Sequence, residues 1–521
     1  MDEPRDRRFQ TPGVGPRIHD NGSHPGKARR KHRLMVISNR LPIRIVEGEN
    51  GSREVRPSSG GLVTALRPVL GRRGGSWTGW PGICDASAED LRELMTDAEE
   101  KFRLRSIPLT ARERDEYYLG FSNQTLWPLF HGFPSKAEFD LGNWEAYRAV
   151  NWKFATLLDK PQNGDAIWVQ DYHLLLLGRA LRYQGYRQRI GFFLHTPFPN
   201  PEILLQLPCH REIMKGLLHY DSLGFQTERD RRNFHEVLEI VSDFGPLKGS
   251  NDPYVMDPLT GAHPISVDFD EWSGKAASGS VTQRVSEIRK SLGNVSTLIL
   301  GVDRLDYSKG IPAKLGGMRR ALSRFPELRG NVQLIQLLVP SREGIPAYQD
   351  EKSRIDRMAE WVNREFGNSE WKPVRLIHGE WDREELMAHY RAADLALVTS
   401  LRDGMNLVSK EFCACRVREP GSLVLSKFAG SANQFAAGAH LVDPHDPEDV
   451  ARGIHDAINA PLQETRERME KMRTSVLEED VHWWADSFLQ AIEEVGPGRA
   501  KPSRQLTRGF SMGTGRRLTP A

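Results

Sequence analysis

The sequence predicts an α/β protein built from two doubly wound, Rossmann-like parallel sheets that face each other across a cleft. Three observations predict it. Short apolar, β-branched runs alternate with amphipathic stretches of helical length. The alternation occurs twice, once on each side of a turn-rich stretch at 245–264. The chain has 521 residues, room for two large domains at roughly 100–200 residues per domain.

In the first half, the run LMVIS at 34–38 reads as a parallel strand buried on both faces, because it is uniformly apolar rather than alternating. Further strands are expected at 166–169, 190–194 and 222–225, with helices over 144–158 and 174–183. In the second half, strands are expected at 297–302, 332–338, 374–377, 395–398 and 422–425, and helices at 311–325, 350–366, 383–392 and 447–459. A last pattern at 480–495, with Trp483 and Trp484, reads as a terminal helix that docks back on the body. The expected division is a tail at 1–32, domains at 33–264 and 265–479, that helix, and a tail at 496–521.

Charge is unevenly spread. The formal total of +3 divides into +4 on residues 1–32, +6 on residues 496–521 and −7 on the body between them. Both tails are rich in Gly, Pro, Ser and Arg and lack periodicity, so they are expected to be disordered. A basic arm for RNA or acidic lipid is one reading of them. A solvated extension is the reading that composition favours. Neither a nucleic-acid nor a membrane partner is expected for the body. No apolar run approaches the roughly 18 residues of a membrane span, and with Asp2, Glu3 and Arg5 following Met1 no secretory signal is expected. Four cysteines, Cys84, Cys209, Cys413 and Cys415, are too few to staple the chain and read as small buried hydrophobes of a cytoplasmic protein. Walker, HExxH and GxGxxG signatures are absent, and the DxD of Asp268 and Asp270 reads as solvated carboxylates.

Chemistry concentrates at predicted strand ends, the edge where open α/β sheets bind ligands. Arg40 follows the first strand, and Ser58-Ser-Gly-Gly61 opens a helix whose amides can meet an anion. The aromatic segment from Tyr117 through Tyr118 to Trp127 serves either sugar stacking or core filling. Asp171 and His195 each follow a strand. Arg304 and Lys309, five residues apart in a strand-to-helix loop, can clamp a diphosphate. Arg342 follows the next strand. Asp403-Gly404-Met405-Asn406 turns into a helix, and Glu411, about two turns along it, can accept a ribose diol.

The ordered segments SNRLP, SGGLVTAL, WTGWPG, EYYLGFSNQTLWPLFH, VQDYHLLLL, GFFLHTPFPNPEI, DRLDYSKG and LRDGMNLVSKE resemble those of the trehalose-6-phosphate synthases, the retaining glycosyltransferases of family 20. The resemblance implies a GT-B fold and transfer of glucose from a nucleoside-diphosphate glucose, usually UDP-glucose, to glucose 6-phosphate. It implies no cofactor, no metal and a homo-oligomer, dimer or tetramer. Arg40, Trp80, Tyr118, Trp127 and Arg342 correspond to acceptor-side residues. Gly61, Arg304, Lys309, Asp403, Gly404, Met405, Asn406, Leu407, Val408 and Glu411 correspond to donor-side residues. Asp171, His195, Arg304 and Lys309 correspond to the catalytic set. Alternatives are a sister enzyme with another phosphorylated acceptor, such as glycerol 3-phosphate, or an inactive sugar-phosphate sensor. Lys427 and Gln434 depart from the family pattern, and 242–263 matches it poorly and is expected as an irregular insertion.

Overall fold

The computed structural model describes residues 33–47, 53–58, 60–95, 103–162, 164–243, 252–342, 345–417 and 419–495. Both basic tails, and residues 245–251 of the expected interdomain break, lie outside the described residues.

The first half supplies strands β1 (Leu34–Arg40), β2 (Ile43–Glu47), β3 (Arg53–Pro57), β4 (Gly75–Trp80), β5 (Arg103–Ser106), β6 (Ala166–Gln170), β7 (Arg189–Phe193), β8 (Ser222–Phe225) and β9 (Leu259–Ala262). Seven of them form a parallel sheet in the order β5-β4-β1-β6-β7-β8-β9, and β2 and β3 form a separate hairpin. The second half supplies β10 (Thr297–Arg304), β11 (Val332–Val339), β12 (Val374–His378), β13 (Leu395–Val398), β14 (Ser422–Ser426) and β15 (His440–Val442). They form a second parallel sheet, β12-β11-β10-β13-β14-β15. In each sheet the chain winds outward in both directions from its first strand. The loops leaving β1 and β6, and those leaving β10 and β13, therefore part and open a crevice at the carboxyl edge.

Several expectations change in detail. Strands β1 and β10 run two residues further than the apolar pattern, through Arg40 and Arg304, because parallel pairing to β4 and β11 continues past the last hydrophobic residue. The helix expected at 350–366 begins at Pro346, where proline's fixed φ suits a first turn. The helix expected at 174–183 starts only at Leu177, after a 3₁₀ turn at Tyr172–Leu174. The segment 242–263 is not wholly irregular: its end, β9, pairs in register with β8 and becomes the outermost strand. Asp268 is not a solvated carboxylate but the N-cap of Phe269–Ala276, accepting from the Glu271 amide at 3.0 Å. Cys209, Cys413 and Cys415 are buried, whereas Cys84 is half-buried.

The terminal helix, Val481–Glu494, lies on the first sheet. Trp484 is fully buried between Trp168 (ring centroids 5.0 Å apart) and Phe193 (5.2 Å). Two strand glycines permit this approach: a Cβ on Gly191 would lie 2.6 Å from Ile492 Cγ1, and one on Gly224 2.7 Å from Phe488 Cε2. Among the described residues no helix is long and apolar enough to cross a membrane.

Candidate active site

The residues singled out in the sequence gather at the carboxyl edges of both sheets. Of four non-glycine described residues with positive φ, three are among them: Asp171 (+72°), Arg342 (+48°) and Asn406 (+89°). Such backbone costs about 1–3 kcal/mol and persists where the surroundings fix it, commonly at functional sites.

On the first sheet, Arg40 leaves β1 and lays its guanidinium over Trp80, 4.6 Å from the ring centroid. Gly82 leaves space for it, since a Cβ there would be 2.8 Å from Arg40 Cζ. Trp80 meets Tyr118 edge-on at 5.8 Å, and Tyr118 stacks on His173 at the same distance. The aromatic segment fills core over most of its length. It forms an i→i+5 helix, Arg114–Leu126, in which Tyr117 is fully buried and hydrogen-bonds Asn39 Oδ1 at 3.0 Å. Its neighbour Tyr118 is left half-buried. Wide helices of this kind cluster at functional sites and carry no 3.6-residue signature in sequence.

Trp127 is the common wall of the two sheets. Arg342, from the end of β11, sits 3.9 Å from its ring centroid, and Arg304, from the end of β10, sits 5.6 Å from it. Its indole nitrogen is buried without a protein partner. Arg342 is held by Asp306 (2.9 Å), the Tyr348 hydroxyl (2.5 Å) and the Tyr172 hydroxyl (3.3 Å). Arg304 is exposed, and among the described residues it forms no ion pair.

Lys309 is not a free clamp in this structure. Its Nζ donates to Asp403 Oδ2 at 2.6 Å. The same oxygen accepts from Ser400 at 3.2 Å and Asn406 at 3.1 Å. Burial opposes ionisation of Asp403, but the adjacent ammonium outweighs it and holds the carboxyl below its usual range. Asn406 also caps Leu407–Cys415, accepting from the Ser409 amide at 3.1 Å. That helix starts late, so Glu411 lies one turn in, not two. Its carboxylate accepts from Tyr390 at 2.8 Å, and burial raises its pKa. Met405 is buried in the core, so only its backbone can face a ligand, while Leu407 and Val408 are half-buried. Helix Gly61–Arg73 opens opposite, with Gly60 at φ +149°. A Cβ on Gly61 would lie 2.7 Å from Leu407 Cδ1, so the two helix N-termini abut. The first-turn amides of a helix have no intrahelical acceptor, and together with the helix dipoles they favour an anion there.

Asp171 follows β6, and its Oδ1 accepts from the His195 amide at 3.1 Å. Burial pushes its pKa up to about 6, against three backbone donors and Arg304. The His195 ring is not free. The Ile265 amide donates to Gln226 Oε1 at 2.9 Å, which turns Gln226 Nε2 towards His195 Nδ1 at 3.2 Å. The ring proton must then sit on Nε2, facing Gln170 Oε1 at 2.9 Å. Burial lowers the ring's pKa to about 3, so it stays neutral. His195 meets the second sheet through its backbone: a Cβ on Gly404 would be 3.1 Å from its carbonyl carbon.

Sequence reasoning quoted Asp306, Tyr172 and Gln170 within its loaded segments without giving them a role, and missed Tyr348 and Gln226. Asp306 stands inside DRLDYSKG, and Gln170 and Gln226 stand at strand ends, so the carboxyl-edge rule could have found these three. Nothing local marks Tyr348, which reaches the site from the helix beginning at Pro346. The departures Lys427 and Gln434 pair with Asp443 (2.9 Å) and Glu479, and neither contacts a site residue among these interactions. Among the described residues no group of three or more His, Cys, Asp or Glu is placed to hold a metal ion.

Residues 32–494 match the family model for glycosyltransferase family 20. A trehalose-6-phosphate synthase from Mycolicibacterium paratuberculosis is 40% identical over 475 residues, covering 89% of this chain and 96% of that one. A UDP-forming α,α-trehalose-phosphate synthase from Burkholderia xenovorans in complex with glucose-6-phosphate superimposes with a TM-score of 0.78 at 34% identity, covering 88% of this chain and all of that one. A chain from E. coli bound with UDP-2-fluoro glucose superimposes with a TM-score of 0.78 at 33% identity, covering 89% of this chain and 100% of that one.

Proposed function

The chain belongs to glycosyltransferase family 20 and is an enzyme of the trehalose-phosphate synthase type; on that premise we propose that it moves glucose from UDP-glucose to glucose 6-phosphate with retention, releasing UDP and α,α-trehalose 6-phosphate. The observation that carries the reading is the placement of Arg342 and Arg304 against the one indole of Trp127. Two cationic sites that close suit two phosphorylated substrates held side by side.

In this reading Arg342 and Arg40 grip the acceptor phosphate, and Trp80, Tyr118 and Trp127 wall its sugar. Arg304, Lys309, the amide of Gly61 and the backbone of Asn406–Val408 hold the donor diphosphate. Asp403 and the amides of Gly404 and Met405 hold the donor glucose, and Glu411 accepts the ribose hydroxyls. The donor diphosphate competes with Asp403 for Lys309, and the freed carboxylate turns to sugar hydroxyls. Asp171 stands by the reacting sugar, where an ionised carboxylate favours positive charge at C1. His195 contributes its backbone and a neutral ring.

The reaction breaks the bond between glucose C1 and the β-phosphate oxygen while the acceptor's C1 oxygen bonds to that carbon from the same face. The acceptor's proton passes to the departing phosphate. Negative charge grows on that phosphate, and Arg304 and Lys309, once Lys309 has exchanged Asp403 for the diphosphate, stand beside it and stabilise the transition state. Holding both substrates in one crevice supplies orientation and excludes water.

Purified protein with UDP-glucose and glucose 6-phosphate should release UDP and yield a product with both anomeric carbons α by NMR. If UDP-, GDP- and ADP-glucose all fail to give trehalose 6-phosphate, the reading is wrong.

A further inference from the structure

One fully buried carboxylate touches both cationic sites. Asp306 has no exposed surface and lies in the 3₁₀-capping position between Arg304 and Lys309. Its two oxygens face different ways. Oδ1 accepts from the Ser308 amide at 2.9 Å, and its backbone carbonyl accepts from the Lys309 amide at 3.0 Å. It thereby sets the turn that presents Lys309. Oδ2 accepts from Arg342 at 2.9 Å and from the Tyr348 hydroxyl at 3.2 Å.

The same turn reaches the second donor loop, because the Ser308 carbonyl accepts from the Leu401 amide at 2.8 Å, two residues before Asp403. A continuous set of short hydrogen bonds thus runs from Arg342 through Asp306 and Ser308 to the loop of Asp403, which itself holds Lys309. Among the described residues Asp306 is the only carboxylate paired with Arg342. Arg342 needs such a restraint, since its φ of +48° is a costly conformation for a side-chain-bearing residue.

Resting on the substrate assignment above, we propose that Asp306 is a positioning residue that couples the two subsites, so that occupation of the acceptor subsite by a sugar phosphate tightens binding of the nucleoside diphosphate. A phosphate on Arg342 adds a second restraint to the guanidinium that Asp306 already holds, and so narrows the motion of the carboxylate about the orientation seen here. That orientation is the one that caps the Ser308–Lys309 turn and seats the Asp403 loop. The ordering that the donor would otherwise have to supply is then already in place, and linkage requires the effect to run equally in the other direction. Tyr348 supports the arrangement by bonding both Arg342 and Asp306.

The test is the dissociation constant of UDP, measured by calorimetry with and without saturating glucose 6-phosphate, for the wild type, Asp306→Asn and Tyr348→Phe. The wild type should bind UDP about tenfold more tightly with the sugar phosphate present, within the usual span of coupling. Asp306→Asn offers an NH₂ group where Arg342 or the Ser308 amide needs an acceptor, so the ratio should fall to below about twofold. Tyr348→Phe keeps the buried charge and should fall between them, and it decides the matter alone if Asp306→Asn does not fold. A purely structural role would weaken both measurements together and leave their ratio unchanged, which would overturn the inference. So would a wild type that binds both molecules independently. A wild type that binds neither would instead overturn the substrate assignment.

Discussion

Replacing Gly404 with alanine puts a methyl group where the two halves of the molecule meet at the floor of the crevice. The new Cβ would overlap the carbonyl oxygen of His195 and stand 3.1 Å from its carbonyl carbon and 3.2 Å from that of Thr196. All three atoms are backbone, so no side chain can swing aside. The loop cannot retreat either, because Gly430 packs behind it and donates to the Asp403 carbonyl at 3.2 Å, and Ser431 donates to Met405 at 2.9 Å. Relief requires the Asp403–Asn406 loop and the His195 loop to part by about 1 Å, a misplacement that costs roughly 100-fold in rate, or about 2.7 kcal/mol of barrier. Initial rates of UDP release at saturating UDP-glucose and glucose 6-phosphate should fall by that factor. UDP affinity should move less than about threefold, since the contacts within the second sheet's loops survive. The melting temperature should fall by a few degrees, since overpacking of this kind costs about 1–3 kcal/mol. Gly316→Ala is the control: nothing lies within 4 Å of a Cβ added there. A Gly404→Ala enzyme with near wild-type turnover would refute the claim that this backbone approach sets the substrate alignment.

Arg342→Ala should raise KM for glucose 6-phosphate by roughly 10- to 100-fold, the loss of a charge-assisted phosphate contact, while UDP affinity without acceptor barely changes; equal losses on both sides would contradict its acceptor role. The Asp171 carboxyl, raised from 3.8 to about 6, predicts that kcat/KM falls as pH drops through about 6. Because the raised value favours the neutral form in the fold, its stabilisation is full below about pH 4 and lost as pH rises through 6. Asp171→Asn should therefore lack the acidic limb and melt higher than the wild type at pH 8; a retained limb would assign it to another group. Lys410 is fully buried, donates to the Ile265 carbonyl at 2.8 Å, and is pulled by burial from 10.5 to about 7. The unfolded chain binds the extra proton between those values, so wild-type stability relative to Lys410→Met should rise from pH 7 to pH 9. A pH-independent difference in melting temperature would argue against it. Trp484→Ala removes the fully buried ring wedged against Trp168 and Phe193. It should cost about 3–5 kcal/mol in denaturant unfolding, and less than 1 kcal/mol would mean that the terminal helix contributes little.

Uniform apolar runs made the inner strands legible, because a parallel strand covered on both faces has nothing but burial to satisfy. The outer strands were hidden for the opposite reason. Arg103–Ser106 and Leu259–Ala262 have little apolar content, and their pairing is supplied by β4 and β8 rather than by their own composition. Gly75–Trp80 went unseen as a strand because its glycines and tryptophans resemble a loop motif until Trp77 and Trp80 turn inward. The wide helix at Arg114–Leu126 breaks the period that helix recognition depends on.

By itself the sequence determined the fold class and which residues stand at strand ends, since burial pattern and loop position are local properties. It also placed most of the positive charge that the site brings together, as Arg40, Arg304, Lys309 and Arg342, within a body whose net charge is negative. Only the tertiary structure decided how those charges are used. Lys309 is paired with Asp403, Arg342 with Asp306, and the His195 ring is locked between two glutamines. These partners lie 94, 36, 25 and 31 residues away in the chain. Hydrogen bonds and ion pairs act over a few ångströms, so their outcome is settled by which strand ends the sheet order brings together, and that order is a property of the whole fold.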